Sequence, residues 1–328
     1  MRHCGSRVGQ AGMTMGKLVT VVGGSGFLGR YVVQELLRGG TRVRIAARNT
    51  QTALFLKPLG GLGQVQIVSA DVTRPDRLAR AVEGSDAVIN LVGILAGAFD
   101  KVQSEGAEAL AKAAQAAGAT AFVQVSAIGA DASSEIAYAR TKGEGENRVR
   151  AAFPAATIIR PSIIFGPEDG FVNRFAGLAS LLPFVPVVAG KAQFQPVHVI
   201  DVAHAVAMAA LDPAAFAGKS FEVGGPRIWT MAELVRYVVD QVRPGRTVVD
   251  IPDEIAGPLA GLTGWLPGAP ITGDQWKMLQ RPNVVAPGME GLAAFGIQPT
   301  PLEATAPEWL VRYRRHGRFT GVQGSARA

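Results

Sequence analysis

LVTVVGGSGFLGRYVVQELLRGG, residues 18–40, decides the fold. Its first five residues form a continuous apolar run without polar alternation, the pattern of a strand buried on both faces of a parallel sheet. A glycine turn follows. Phe27, Leu28, Tyr31, Val32 and Leu36 then recur at helical spacing until Gly39 and Gly40 stop the helix. The turn reads as G-x-G-x-x-G through Gly24, Gly26 and Gly29, or as G-x-x-G-x-x-G through Gly23, Gly26 and Gly29. Either way, the missing side chains let backbone N–H groups approach a pyrophosphate at the partially positive start of the helix. A glycine triplet alone is weak evidence; a buried strand before it and an amphipathic helix after it are the context of a dinucleotide fingerprint. Ser25, Phe27, Leu28 and Arg30 complete the contacts expected of this turn.

Outward from there, RVRIAA (42–47), QIVSA (66–70), AVINLVGIL (87–95), AFVQVSA (121–127) and TIIRPSIIF (157–165) are further strand candidates, several separated by helical stretches such as Glu105 to Ala117. This alternation predicts an α/β fold, a Rossmann-type doubly wound parallel sheet. After Phe165 the composition shifts toward Pro and Gly, while Val197 to Leu211 and Lys219 to Gly224 recover a helix and a strand. The expected organisation is a disordered extension over 1–15 and a dinucleotide-binding domain over 16–165 plus about 195–225. A smaller, discontinuous C-terminal lobe would take 166–194 and 226–309, and a basic tail 310–328.

The second strand ends Ala46, Ala47, Arg48, with no carboxylate for a ribose hydroxyl. The guanidinium of Arg48, with Arg30 beside it, suits a 2′-phosphate, so NADP(H) is preferred and NAD(H) remains possible. Asp71, after the third strand, suits the adenine edge or a turn. Val72, Leu91, Val92, Gly93 and Pro161, at further strand ends, complete the expected cofactor contacts.

Tyr138 and Lys142 stand at i and i+4, on one helix face. A nearby ammonium lowers a phenol's pKa, so that Tyr138 can exchange a proton with a carbonyl or alcohol while Lys142 holds the nicotinamide ribose. Ser126, ending the fifth strand, can bond the same oxygen. These three are the catalytic candidates.

Together these features resemble the short-chain dehydrogenase/reductase superfamily, in its extended or atypical, epimerase-like branch, from Lys17 to about Trp309. A narrower match rests on Tyr138, Lys142 and Glu146 in Y-x-x-x-K-x-x-x-E, on RPSIIFGPEDGFVN (160–173) and on QPVHVIDVAHAV from Gln195. That set is similar to the nucleotide-binding accessory subunit of respiratory complex I, the NADH dehydrogenase (ubiquinone) alpha subcomplex subunit 9 family. The resemblance implies tightly held NADP(H) in a structural or regulatory role, complex I subunits as partners, and a peripheral place on the cytoplasmic face of the inner membrane. The alternative it leaves is a free oxidoreductase, epimerase or dehydratase using Tyr138 and Lys142. Extended members of the superfamily place the serine roughly two dozen residues before the tyrosine, but Ser126 is only twelve before Tyr138. The substrate wall is therefore shortened. A Tyr138 that packs against the nicotinamide, with Lys142 clamping the ribose, fits as well as a reactive one.

Composition narrows the other classes. The chain has 328 residues and a net charge of +7, from 33 basic against 26 acidic residues. The whole excess sits in Arg2 and Arg7 and in Arg312, Arg314, Arg315, Arg318 and Arg327, so the body is neutral and nucleic-acid binding is not expected. The basic end reads as a frayed, solvated tail. One cysteine allows no internal disulfide, and four scattered histidines show no ligand spacing, so no metal is expected. His198 and His204 read as packed or surface residues and Asp201 as a helix cap. Ile255 to Gly273 is uncharged apart from its flanks but broken by three prolines, so it does not span a bilayer; it suits contact with a membrane surface or subunit, or a pocket lid. Trp229, Trp265, Trp276 and Trp309 suit core packing or a partner surface. Nothing in the lobe names a small-molecule substrate.

Overall fold

The apolar run Leu18–Val22 forms strand β1, and its side chains divide between two cores. Val19 and Val21 face one layer and Val22 the other, which is why the run shows no alternation. The computed structural model describes residues 16–252, 254 and 273–319. The expectations for residues 1–15, for residues 255–272 with Trp265 among them, and for residues 320–328 lie outside them.

Helix α1 (Phe27–Arg38) leads to β2 (Arg42–Ala47), β3 (Val65–Ser69), α2 (Pro75–Val82), β4 (Ala87–Asn90), α3 (Gly106–Ala116), β5 (Ala121–Val125), α4 (Ala137–Ala152) and β6 (Thr157–Pro161). Three of the expected strands are shorter than the stretches that signalled them, β5 stopping at Val125. Strand β4 ends at Asn90, with the Leu91 amide still bonded to the Val22 carbonyl, and TIIRPSIIF breaks after Pro161, so that Ile164–Phe165 forms a separate strand, β7. The chain then makes α5 (Val172–Leu181), β8 (Phe184–Val188), β9 (Gln193–Phe194), β10 (Val197–His198), α6 (Val199–Leu211) and the single turn α7 (Pro213–Phe216). It returns with β11 (Ser220–Val223) and continues through β12 (Trp229–Thr230), α8 (Met231–Val242) and β13 (Thr247–Ile251).

Seven parallel strands lie in the order β11-β6-β5-β4-β1-β2-β3. Helices α1 and α6 cover one face, where Val32, Val33 and Leu36 meet Val202 and Val206; α2, α3 and α4 cover the other through Leu78, Leu110 and Val149. The order reverses between β1 and β4, so the crevice for a ligand opens at the C-terminal ends of those strands. Thr20, polar within the buried run, is satisfied by the Ser85 hydroxyl at 2.7 Å and the Ala81 carbonyl at 3.3 Å.

A third hydrophobic core gathers α5, α8, the parallel pair β8–β13 and the helix Leu302–Leu310, where the smaller lobe was expected. Trp229 and Trp309 are buried in it. The span after β12 is not wholly in that lobe: Leu292 and Phe295 pack with Phe216 and Phe221 in a core of the main sheet. Helix α8 opens with a capping box, in which Thr230 and Glu233 bond each other's amides.

Candidate functional site

Each glycine of the turn after β1 meets a different constraint. Gly23 has φ of +85°, a conformation side chains disfavour, and its amide donates to the Ala46 carbonyl at 3.0 Å. A Cβ on Gly29 would stand 2.5 Å from the Gly23 carbonyl oxygen and 2.6 Å from Gly24 Cα, so α1 crosses the turn only if residue 29 has none. On Gly24 it would meet Ile45 Cγ2 at 3.0 Å, and on Gly26 the Gly23 carbonyl oxygen at 3.2 Å. The spacing through Gly23, Gly26 and Gly29 therefore carries the backbone path, and Gly24 fits helix to sheet. Helix α1 has no side-chain N-cap and no acid in its first turn. Its open amides are left for an anion, which fits a dinucleotide pyrophosphate.

A cleft of about 490 Å³ opens over this turn. Gly23, Ser25, Gly26, Arg48, Asp71, Val72, Leu91, Val92 and Gly93 line it, together with Ala46, Ala47, Thr73, Ile94 and Val102, which sequence reasoning did not single out. Gly24 and Gly29 lie behind the lining as packing positions. Phe27 meets the ring of Tyr31 edge-on and borders Gly166, while Leu28 packs against the sheet core.

The two arginines part company. Arg30 is held by Glu168 at 3.2 Å and lies over the Phe55 ring at 5.0 Å, and Glu168 also accepts from the Tyr31 hydroxyl at 2.7 Å. Arg30 thus bridges α1 and the loop after β7 and, unlike Arg48, does not line the cleft. Arg48 is exposed at the cleft and makes no hydrogen bond or ion pair among the described residues. Asp71 accepts from the Thr73 amide at 2.9 Å and hydroxyl at 2.8 Å, the turn-forming role. These bonds hold its carboxyl below the usual range, with a smaller contribution from the Arg48 charge.

On the other side of the switch point, Lys142 is buried; its ammonium donates to the Val125 carbonyl at 3.4 Å and faces Gly93, where a Cβ would come within 3.3 Å of it. Burial pushes its pKa down to about 8, opposed by Glu146. Gly143 and Gly145 let α4 sit this deep: a Cβ on Gly143 would stand 2.2 Å from the Ala132 amide, and one on Gly145 2.3 Å from the Gln103 carbonyl. Gln103 lies on a π-helical turn, Asp100–Glu105, and donates to the Thr141 hydroxyl at 3.3 Å, while its Oε1 is buried without a partner near Gly93. The Ser126 hydroxyl, too, is buried and unpartnered. Gln103 had no sequence signal, because its position depends on the wider π turn and on Gly145.

Tyr138 packs edge-on against Phe99 at 6.2 Å. Its phenol is pushed up to about 12 by burial alone. Lys142 adds no lowering to it: the ammonium lies against the Val125 carbonyl, to which it donates at 3.4 Å. Pro161 ends β6, and its carbonyl accepts from Ile128 at 3.1 Å. Behind Lys142, Arg160 binds Glu146 through Nε at 3.0 Å and through a terminal nitrogen at 2.6 Å, and reaches Glu222 at 3.5 Å. Glu222 also accepts from the Ala286 amide at 2.9 Å.

The remaining candidates have structural partners. His198 is buried against Phe165, and burial lowers its pKa, whereas His204 meets Glu35 at 2.9 Å. Asp201 does not cap its own helix: it accepts from the Thr300 amide at 2.7 Å and hydroxyl at 3.0 Å, tying α6 to the start of the helix Leu302–Leu310. The basic end is not frayed throughout, because Arg312 donates to the Pro167 carbonyl at 2.6 Å and Arg314 to the Gln241 carbonyl at 2.7 Å. Among the described residues no acidic, His and Cys cluster could hold a metal ion, and no helix is long and apolar enough to cross a membrane.

Comparison with known proteins agrees with this geometry. A family model described as NAD(P)H-binding matches residues 23–179. Over 312 residues the chain is 36% identical to NADH dehydrogenase (ubiquinone) 1 alpha subcomplex subunit 9, mitochondrial, of Mus musculus, covering 92% of this chain and 81% of that one. It is 32% identical over 324 residues to the NADH-ubiquinone oxidoreductase 40 kDa subunit, mitochondrial, of Neurospora crassa, covering 97% and 84%. Among solved structures, an NADPH-dependent quinone oxidoreductase of Escherichia coli complexed with NADPH shares the fold with a TM-score of 0.72 at 21% identity, covering 89% and 99% of the two chains.

Proposed function

The chain belongs to the NADH dehydrogenase (ubiquinone) 1 alpha subcomplex subunit 9 family, and from that premise we propose that it is an accessory subunit of respiratory complex I that retains NADP(H) as a structural or regulatory group. The observation that carries the cofactor choice is Arg48. It stands exposed at the cleft, without a hydrogen bond or close ion pair among the described residues, at the end of β2, where a carboxylate would select NAD(H). In this reading Gly23, Gly24, Ser25, Gly26, Phe27, Leu28 and Gly29 shape the pyrophosphate cradle. Asp71 and Val72 flank the adenine, Leu91, Val92 and Gly93 line the middle of the cleft, and Lys142 holds the nicotinamide ribose beside Pro161. Residues 16–165 and 195–225 form the dinucleotide domain, and the lobe meets the partner subunits. We place the protein peripherally, on the cytoplasmic face of the inner membrane.

When bound, the nicotinamide would supply a hydride donor or acceptor. The environment of Tyr138 supports retention over turnover. A phenol pushed up to about 12 by burial, unassisted by Lys142, is a weak proton donor near neutral pH. The oxidoreductase reading, with Tyr138 as acid, Lys142 as its tuner and Ser126 polarising the substrate, needs a lowered phenol.

Native mass spectrometry of the protein purified from its own membranes tests the proposal. The expected spectrum contains NADP(H) and complex I subunits. A chain free of complex I subunits would overturn the assembly, and bound NAD(H) would overturn the cofactor choice.

A further inference from the structure

Arg281 to Ala286 belongs to no regular helix or strand, yet its backbone and side chains are bonded to four other parts of the chain. Asn283 spends every polar group it has. Its amide donates to the Gln193 carbonyl at 2.8 Å, and its carbonyl accepts from the Gln195 amide at 3.1 Å and the Ser162 hydroxyl at 2.9 Å. Its side-chain Oδ1 also faces the Ser162 hydroxyl at 2.7 Å, and Nδ2 reaches the Ile128 carbonyl at 3.4 Å. Two residues on, Val285 donates to Gln195 Oε1 at 3.0 Å, and Ala286 donates to Glu222.

The segment is anchored on one side to β9 and Gln195 after it, and on the other to Ile128 beyond β5, Ser162 just after β6 and Glu222 in β11. Ile128 is two residues beyond Ser126 and bonds Pro161; Ser162 is the next residue after Pro161. In an open α/β sheet the second half of a dinucleotide, and any substrate facing it, lie over the C-terminal ends of the strands beyond the switch point. The chain's own segment crosses that place. The Ser126 hydroxyl, just past the end of β5, is buried and has no hydrogen-bond partner.

We propose that Asn283 closes the nicotinamide side of the cleft: it clamps Arg281 to Ala286 over the ends of β5 and β6, where a substrate would approach Ser126, and so makes the bound dinucleotide a retained group. This deepens the reading of a held NADP(H) and rests on it.

The test uses the full chain loaded with NADPH, with release followed by the loss of NADPH fluorescence on chasing with excess NADP+, and nicotinamide exposure followed by iodide quenching. Asn283→Ala removes both side-chain bonds; Ser162→Ala removes only the hydroxyl beneath it and covers the case in which the first variant does not fold. Losing one or two such bonds is expected to speed release on the order of tenfold and to raise quenching in step. Folded variants that release NADPH at the wild-type rate, with unchanged quenching, would overturn the closure alone. A wild-type chain that takes up no NADPH would overturn the held-cofactor reading and this inference with it.

Discussion

Arg48 and Lys142 stand on opposite sides of the switch point and do opposite electrostatic work. Arg48 keeps a solvated guanidinium with no hydrogen bond or close ion pair among the described residues, and a 2′-phosphate would give it charge-assisted bonds. Replacing it by alanine is expected to weaken NADP(H) binding on the order of 10- to 100-fold and to leave NAD(H) binding little changed; titration with both nucleotides measures the split. Lys142, in contrast, is held at about 8 against an ordinary 10.5 by its burial. Between those values the unfolded chain binds a proton that the folded chain has released, so the apo protein gains stability as pH rises from 8 to 10.5 and loses that gain as pH falls through 8. The full span is worth on the order of 3 kcal/mol. Urea unfolding at about pH 7.5 and about pH 9.5 should show this rise in the apo wild type and lack it in Lys142→Met.

At the scale of elements, the unit of β1, turn and α1 was the most legible part of the sequence, because its signals are local: an apolar run, three glycines and a helical period. The site divides along the same line. Arg48 and Asp71 follow from their places at strand ends, and Lys142 from its spacing to Tyr138. Gln103 and Asn283 follow from nothing local. One depends on a π turn abutting Gly145, the other on bonds to Ile128, Ser162 and Gln195, all distant in sequence. The same limit explains Tyr138: spacing put it on the helix face of Lys142, but the carbonyl that takes the ammonium comes from β5. Packing of α1 on its turn carries its own expectation. Gly29→Ala places a methyl 2.5 Å from the Gly23 carbonyl oxygen, in rigid backbone. A loss of about 1–3 kcal/mol and of dinucleotide binding is expected, read by thermal unfolding and by NADPH titration.

Across the whole molecule, Arg160 is the joint at which α4, β6, β11 and the segment near Ala286 meet, through Glu146 and Glu222. Its guanidinium neutralises two buried carboxylates, so Arg160→Met strands both and is expected to cost on the order of 3–5 kcal/mol, measured by urea unfolding. Glu146→Gln combined with Arg160→Met should recover part of that loss, since one stranded charge is gone. The position of β11 has a further consequence, for synthesis on the ribosome. The chain leaves the sheet at Pro161 and comes back to it only at Ser220, after building β7 to α7. At roughly 5–20 residues per second the nascent β6 therefore waits several seconds with one row of backbone donors and acceptors bare. During that interval the half-made sheet is a target for chaperones and a seed for mispairing, and the arrival of four residues, Ser220–Val223, ends the exposure.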